Sequence, residues 1–537
     1  MCKWSRQAAG PRGGWRNCVQ GFKSYRNLAL IGRALAAAVF IVAGGAPVPA
    51  ALAQSQLPMM GDGAEMTTSA ERKLGDRIIR ELYRDPDYID DAVLQEYVQN
   101  LFQSLVRAAE QRGELSPELQ ERFAWQILLG RDRTVNAFAL PGGYFGVHLG
   151  LIGVVDTRDE LASVLAHELS HVTQRHISRL MAQQGRQTPL MLGAMVLGAL
   201  AAAKNPAAAQ AMMVGGQALA VQNQLNFSRD MEREADRVGF GLMQPAGFAP
   251  QGFVAMFDKL QQANRLNDNG SWPYLRSHPL TSQRIADMHS RIPQGQAIPM
   301  QATLEHLMMS ARARVLTRPG VDTWRQWAAE PHDAGFASRP LTQRVPAWYA
   351  ATLSAMQLAD YGAARQSLRG LQADTRGDAA AARQARLLGA ELELAAGDAP
   401  AALTYLQDSV VIDQAKTSTA SGRPELLLRT QALLRTGATA EMAGPLQTWV
   451  SSHPGDATAW QALAQVWQQQ KQPLRAVRAE AEAQVARFDY AAAVDRFKAG
   501  QDLARSRGAS ADYIEASIID TRLRAVQSLL KEQAAER

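Results

Sequence analysis

The chain has 537 residues, 47% of them hydrophobic, and at roughly 150 residues per domain it is long enough for two or three units. Its formal charge of +6 is concentrated at the start: residues 1–53 carry Lys3, Arg6, Arg12, Arg16, Lys23, Arg26 and Arg33 and no acid, and the 57 basic residues less these seven leave 50 against 51 acidic, a net of −1. That balance gives no reason to expect a polyanion partner, so nucleic acid is excluded, and the two cysteines, Cys2 and Cys18, lie in the same leader, which excludes disulfides and thiolate metal ligands from the remainder.

The leader combines its basic start with an apolar run from Ala34 to Gly45 and the small residues Ala51-Leu52-Ala53. This pattern predicts a signal peptide over 1–53, cleaved after Ala53, and an exported mature chain; the apolar run is shorter than the ~20 residues of a spanning helix. Residues 54–68 read as a flexible N-terminus. From Ala70 to Arg112 the period is helical, with one stripe at Leu74, Ile78, Ile79 and Leu82 and another at Val93, Tyr97, Leu101 and Leu105, which predicts two packed helices. Short β-like runs follow at Phe123 to Leu129, Val135 to Leu140 and Tyr144 to His148, the last two joined by a turn at Pro141-Gly142-Gly143. They predict a small sheet. The helical period then returns at Leu161, Val164, Leu165, Leu169 and Val172, with Thr157 as N-cap and Glu160 three residues on.

Residues 189–203 form an unbroken apolar stretch of 15, for which burial is the leading reading and an apolar flap or shallow membrane contact the alternatives. After Arg339 the chain is rich in Ala, Leu, Gln and Arg, with turns at Asp360-Tyr361-Gly362, Gly397-Asp398, Arg435-Thr436-Gly437 and Lys471-Gln472-Pro473. Helical hairpins at intervals of roughly 34 to 40 residues are the signature of stacked repeats, and Trp348-Tyr349 and Trp460-Gln461-Ala462-Leu463-Ala464 look like degenerate tetratricopeptide motifs.

The chemistry lies in His167-Glu168-Leu169-Ser170-His171. Residues four apart share a helix face, so the two imidazoles can present nitrogens to one cation with Glu168 beside it, the layout of a zinc peptidase. Two histidines under-coordinate a catalytic ion, and the segment Ser228 to Asp236 supplies a further ligand. On a helix, Met231, Ala235, Val238 and Leu242 form an apolar stripe flanked by Glu232 and Asp236, with Glu234 on the opposite flank and Gly239 permitting close approach of another helix. Glu232 is therefore assigned as the third ligand, and Asp236 as the acceptor that orients a ligand histidine through its free N–H. Glu168 is the expected catalytic base of a peptide hydrolysis without covalent intermediate, with one Zn2+ per chain as cofactor. His176, five residues past His171, reads as a surface residue, and His148 is given no role.

With Asn136-Ala137-Phe138-Ala139-Leu140-Pro141-Gly142-Gly143 upstream and Ser277-His278-Pro279-Leu280-Thr281-Ser282-Gln283-Arg284 downstream, these motifs resemble the metallopeptidase family that includes the prenyl-protein endopeptidases and HtpX. With the leader and the repeats added, the architecture is similar to the BepA-like branch of periplasmic β-barrel assembly-enhancing proteases, and the similarity spans roughly residues 65–537. The resemblance implies that His167, His171 and Glu232 bind zinc and that Glu168 is the base. It also implies that Asn136, Ala137 and Phe138 form a substrate-binding edge for an extended peptide. His278 would be a fourth ligand that latches the site, and Arg284 would lie near it in a role left open.

The expected fold class is α+β, predominantly α: a zincin-like metallopeptidase domain with a small β-sheet over 69–310, a linker over 311–338 and an α-helical repeat solenoid over 339–537. The expected partners are unfolded or misassembled outer-membrane proteins and, through the repeats, the outer-membrane β-barrel assembly machinery, with peripheral membrane contact as an alternative for residues 189–203. The rival reading is a chaperone or adaptor with a largely latent site. A weaker third is a general peptidase for small extracellular peptides.

Overall fold

The computed structural model describes residues 66–183, 228–265, 271–292, 300, 302–407, 422–507 and 512–535. The expected signal peptide and the apolar stretch 189–203 lie outside these residues. Among the described residues no helix is long and apolar enough to cross a membrane.

The architecture is α+β and mostly helical, with one four-stranded sheet. Helix α1 (Thr68–Leu82) is followed by β1 (Tyr88–Ile89), α2 (Ala92–Gln111), a short α3 (Pro117–Arg122), β2 (Gln126–Gly130), β3 (Ala137–Leu140) and β4 (Tyr144–His148). The strand order is β1-β2-β4-β3, with β2 and β4 parallel and both outer pairs antiparallel. Pro141-Gly142-Gly143 turns the chain between β3 and β4, where Gly142 at φ +77° and Gly143 at φ +79° hold a left-handed backbone that side chains disfavour. The two N-terminal helices, expected to pack on each other, instead take opposite faces of this sheet. Leu74, Ile78 and Ile79 of α1 cluster with Leu128, Leu140 and Tyr144, while α2 joins Ile127, Leu129, Phe145 and Val147. Strand residues alternate faces, so a sheet offers each apolar stripe its own partner.

Behind the α2 face runs α5 (Arg158–Thr173), reached through α4 (Leu149–Val154). Its N-cap is Thr157, whose hydroxyl accepts from the Glu160 amide at 3.2 Å, and every residue from Asp159 to Thr173 is buried. A helix enclosed on all sides holds its side chains in fixed positions, which a metal centre requires. Next come α6 (His176–Gln183), α7 (Arg229–Met243), α8 (Gln251–Arg265), α9 (Tyr274–Ser277) and α10 (Ser282–Arg291).

The segment 311–338, expected as a linker, begins inside a helix that is buried through Val315, while its next helix, 321–329, buries no residue. Helix α11 (Leu304–Leu316) is buried through Met308 to Ala313, and α12 (Val321–Ala329) and two 3-10 turns follow. The main apolar cluster runs from Ile89 to Ala432 without a break, so sheet, α11 and the first hairpins share one core. Later helices pair as 341–357 with 361–375, 379–396 with 399–405, 457–469 with 473–486 and 490–507 with 513–535, while 423–436 and 443–452 both pack on 457–469. The four expected turns fall at helix junctions: Asp360 and Asp398 cap helix starts, Gly397 and Gly437 end helices in the left-handed region, and Lys471-Gln472 precedes the helix that opens at Pro473.

Candidate metal centre

Helix α5 carries His167, Glu168 and His171, and α7 crosses it with Glu232, Glu234 and Asp236. Gly239 permits the crossing: a Cβ there would lie 3.0 Å from the backbone of Ala166 and from the Phe253 ring. This is the close approach that the α7 pattern predicts.

His167, His171, Glu232 and His278 converge, each no more than 3% exposed, with one donor atom apiece within 4.8 Å of the others. His167 Nε2 lies 3.0 Å from His171 Nε2, 3.2 Å from His278 Nδ1 and 3.5 Å from Glu232 Oε2. Glu232 Oε1 lies 3.4 Å from His171 Nε2 and 3.0 Å from His278 Nδ1. Ligands about 2.0–2.1 Å from a tetrahedral zinc are separated by ~3.3 Å, so these donors fit such an ion. The donor set, three imidazoles and a carboxylate, suits zinc as well. His278 supplies the fourth donor of the set.

Around the donors, Asp236 Oδ1 stands 3.0 Å from His167 Nδ1, as expected for an acceptor that orients the ring. Asp236 is gripped in turn by Arg284, whose Nε and Nη2 donate to its two oxygens at 2.6 and 2.8 Å. Burial opposes ionisation of Asp236, but the bonds from Arg284 and His167 outweigh it and hold the carboxyl below its ordinary range. Arg284 also reaches Glu232 Oε2 at 2.8 Å and Pro279 O at 2.9 Å, which supplies the role left open by the sequence: one guanidinium ties Asp236, Glu232 and the His278 segment together.

Glu168 points at the same centre without joining the four donors. Its Oε2 accepts from the Ala139 amide at 3.0 Å and its Oε1 stands 3.4 Å from His278 Nε2. Burial pushes this carboxyl up from its ordinary range.

Strand β3 is an edge of the sheet beside α5. His148 N donates to Asn136 O at 3.0 Å, so by the alternation of an antiparallel ladder Asn136 and Phe138 face β4, and Ala137 and Ala139 turn their backbone groups outward. The outer side is engaged: Glu168 takes the Ala139 amide, and Val135 pairs with Ser271 O at 2.8 Å and with the Tyr274 amide at 3.4 Å. The segment that carries His278 is thus hydrogen-bonded to the start of the strand expected to receive substrate. Tyr274, which sequence reasoning missed, is buried and stacks on the His278 ring at 4.6 Å between centroids.

One sequence reading is overturned. His176 is wholly buried, with Nδ1 2.9 Å from His171 Nδ1 and Nε2 3.0 Å from Glu234 Oε2. The surface reading assumed a continuous helix, but α5 ends at Thr173 and Arg175 adopts φ +53°, which swings the next turn back toward His171. No glycine or proline marks that reversal. His148 is buried against Thr134, 2.9 Å from its hydroxyl, and stands outside the donor group.

Comparison with known proteins places this geometry among peptidases. The pattern of peptidase family M48 matches residues 93–292, which contain all four donors and Glu168. A beta-barrel assembly-enhancing protease of Escherichia coli K12 is 30% identical over 412 residues, 76% of this chain and 79% of that one. A putative beta-barrel assembly-enhancing protease of Vibrio cholerae is 36% identical over 287 residues, 52% of this chain, and the match spans little more than half of that relative, 56%. The mitochondrial metalloendopeptidase OMA1 of Saccharomyces cerevisiae is 26% identical over 206 residues, 37% of this chain and 56% of that one.

Proposed function

The chain belongs to peptidase family M48 and carries a metallopeptidase site, and from that premise we propose that it is a periplasmic zinc metalloendopeptidase that degrades misassembled outer-membrane β-barrel proteins and supports their assembly. The observation that carries the reading is that four buried donors are spaced like the corners of a tetrahedron, with Glu168 directly beside them. Zinc held by His167, His171 and Glu232 would supply a Lewis acid that lowers the pKa of water toward ~7. Glu168 then accepts the proton of the attacking water and hands it to the leaving amine. Ala137 turns its backbone groups outward, where an extended peptide can add as a strand, and the Ala139 amide becomes available to it only when Glu168 lets go, which suits an unfolded protein as substrate. The paired helices after Leu341 provide the surface that docks on substrate or on the assembly machinery. The periplasmic assignment rests on the basic, apolar and small-residue pattern of residues 1–53.

A second reading is favoured by one observation, His278 Nδ1 at the fourth vertex. In that closed arrangement the chain acts as a chaperone or adaptor, and cleavage requires the His278 segment to leave both the centre and the edge strand.

Cleavage of an unfolded outer-membrane barrel by the zinc-loaded full chain tests both readings. The wild type is expected to cut slowly, His278→Ala at least about tenfold faster, and a chelator to stop both. Cleavage that survives the chelator contradicts the metallopeptidase reading; no cleavage by either protein leaves the adaptor reading in its place.

A further inference from the structure

We propose that His176, backed by Glu234, is a positioning residue that fixes the tautomer and orientation of His171 for metal binding, an inference that rests on the metallopeptidase reading and deepens it. The two ligand histidines are supported differently. His167 Nδ1 faces a carboxylate directly, Asp236 Oδ1 at 3.0 Å. His171 Nδ1 faces another imidazole, His176 Nδ1 at 2.9 Å, with the rings edge to face at 77°. On its far side His176 Nε2 meets Glu234 Oε2 at 3.0 Å, and Arg179 Nη1 holds the same oxygen at 2.9 Å.

Proton positions follow from the outside inward. An ionised Glu234 can only accept, so a neutral His176 must carry its hydrogen on Nε2. Its Nδ1 is then a bare lone pair, and the one arrangement that makes a hydrogen bond across the 2.9 Å gap puts the hydrogen of His171 on Nδ1. That leaves His171 Nε2, the atom facing His167 and Glu232, free to bind a cation. Glu234 thus sets, through two rings, which nitrogen of His171 is the ligand. Orienting partners of this kind typically change metal affinity by about 10- to 100-fold. The relay comes from a different helix pair than the Asp236 support: His176 and Arg179 from α6, Glu234 from the flank of α7 that faces away from the donors.

The test is the zinc Kd of the purified full chain, measured by competition with a chromophoric chelator, for the wild type, His176→Ala, His176→Asn and Glu234→Ala. His176→Ala should weaken binding about 10- to 100-fold. His176→Asn, whose side-chain oxygen can accept where Nδ1 did, should recover most of the loss. Glu234 is about 30% exposed, so Glu234→Ala tests the relay even where a change at buried His176 disturbs folding, and it should weaken zinc about tenfold. Unchanged Kd in His176→Ala and Glu234→Ala, with or without a lower melting temperature of the metal-free protein, overturns the relay and leaves the metallopeptidase reading standing. A wild type that takes up no zinc overturns that reading itself.

Discussion

The metal centre and the seam where the sheet domain meets the helical pairs both bury charge, and they balance it differently. At the seam each arginine is matched by carboxylates from two elements. Arg312 of α11 binds Asp91 at 2.8 and 2.6 Å and Glu391 at 2.8 and 2.7 Å, with Tyr349 OH at 3.0 Å. Arg383 bridges Glu96 and Glu425, and Arg423 bridges Asp90 and Asp456. At the centre, Glu232 and Asp236 share the guanidinium of Arg284, while Glu168 lies against the Ala139 amide and His278, and Glu232 faces imidazole nitrogens that can bind a cation with it. At the seam each of these carboxylates is bound to a guanidinium, whereas at the centre imidazole and carboxylate donors converge on one point, an arrangement suited to an ion. Substitutions at the two places should fail differently, one in chemistry and the other in stability.

The largest expected effect is at Glu168. Glu168→Gln keeps the shape and removes the base, so cleavage of an unfolded barrel should fall by at least about 10²- to 10⁴-fold while zinc content, read by atomic absorption, stays at one per chain. Loss of zinc together with activity would place Glu168 among the ligands and blur the contrast with the seam. Next is Arg312→Ala, which strands two part-buried carboxylates and should cost about 3 kcal/mol in urea unfolding without altering zinc affinity. A loss under about 1 kcal/mol would mean that the seam is held by apolar contact alone.

The seam also predicts a pH dependence. His306, wholly buried, lies 2.8 Å from Tyr97 OH and 3.1 Å from Val155 O, and burial pulls its pKa down to about 4. In the unfolded chain it titrates near ~6.5, so between these values the unfolded state takes a proton that the folded state refuses. Stability is full above pH ~6.5 and declines as pH falls toward ~4, by about 3 kcal/mol. Urea titrations at the two ends of that range should show the decline in the wild type and a smaller one in His306→Gln; equal slopes would remove His306 from the account. The smallest effect is at Gly239→Ala, which presses a methyl against Ala166 and Phe253 and should cost about 1–3 kcal/mol with some loss of zinc affinity, since it spreads the helices that bring His167 and Glu232 together. Wild-type stability there would mean that the crossing has slack.

What the sequence discloses follows the same division. His167, Glu168 and His171 are legible because one helical turn relates them, and Glu232, Asp236 and Gly239 because they keep that period on a second helix. The glycine turn and the aspartate caps of the later helices are legible for equally local reasons. The parallel pairing of β2 with β4 and the placing of α1 and α2 on opposite sheet faces are long-range choices with no local mark. Arg312 and Asp91 stand 221 residues apart, and each alone reads as an ordinary surface charge. The relay through His176 was hidden by the left-handed Arg175, a residue type that gives no warning of a turn.

The most direct test is zinc-edge X-ray absorption on the loaded full chain, wild type beside His278→Ala. Three imidazole nitrogens and a carboxylate oxygen at about 2.0–2.1 Å are predicted for the wild type, with one imidazole fewer and a water-derived oxygen in its place in the variant. An unchanged shell in His278→Ala, or a wild-type shell with fewer than two imidazoles, would contradict the four-donor centre.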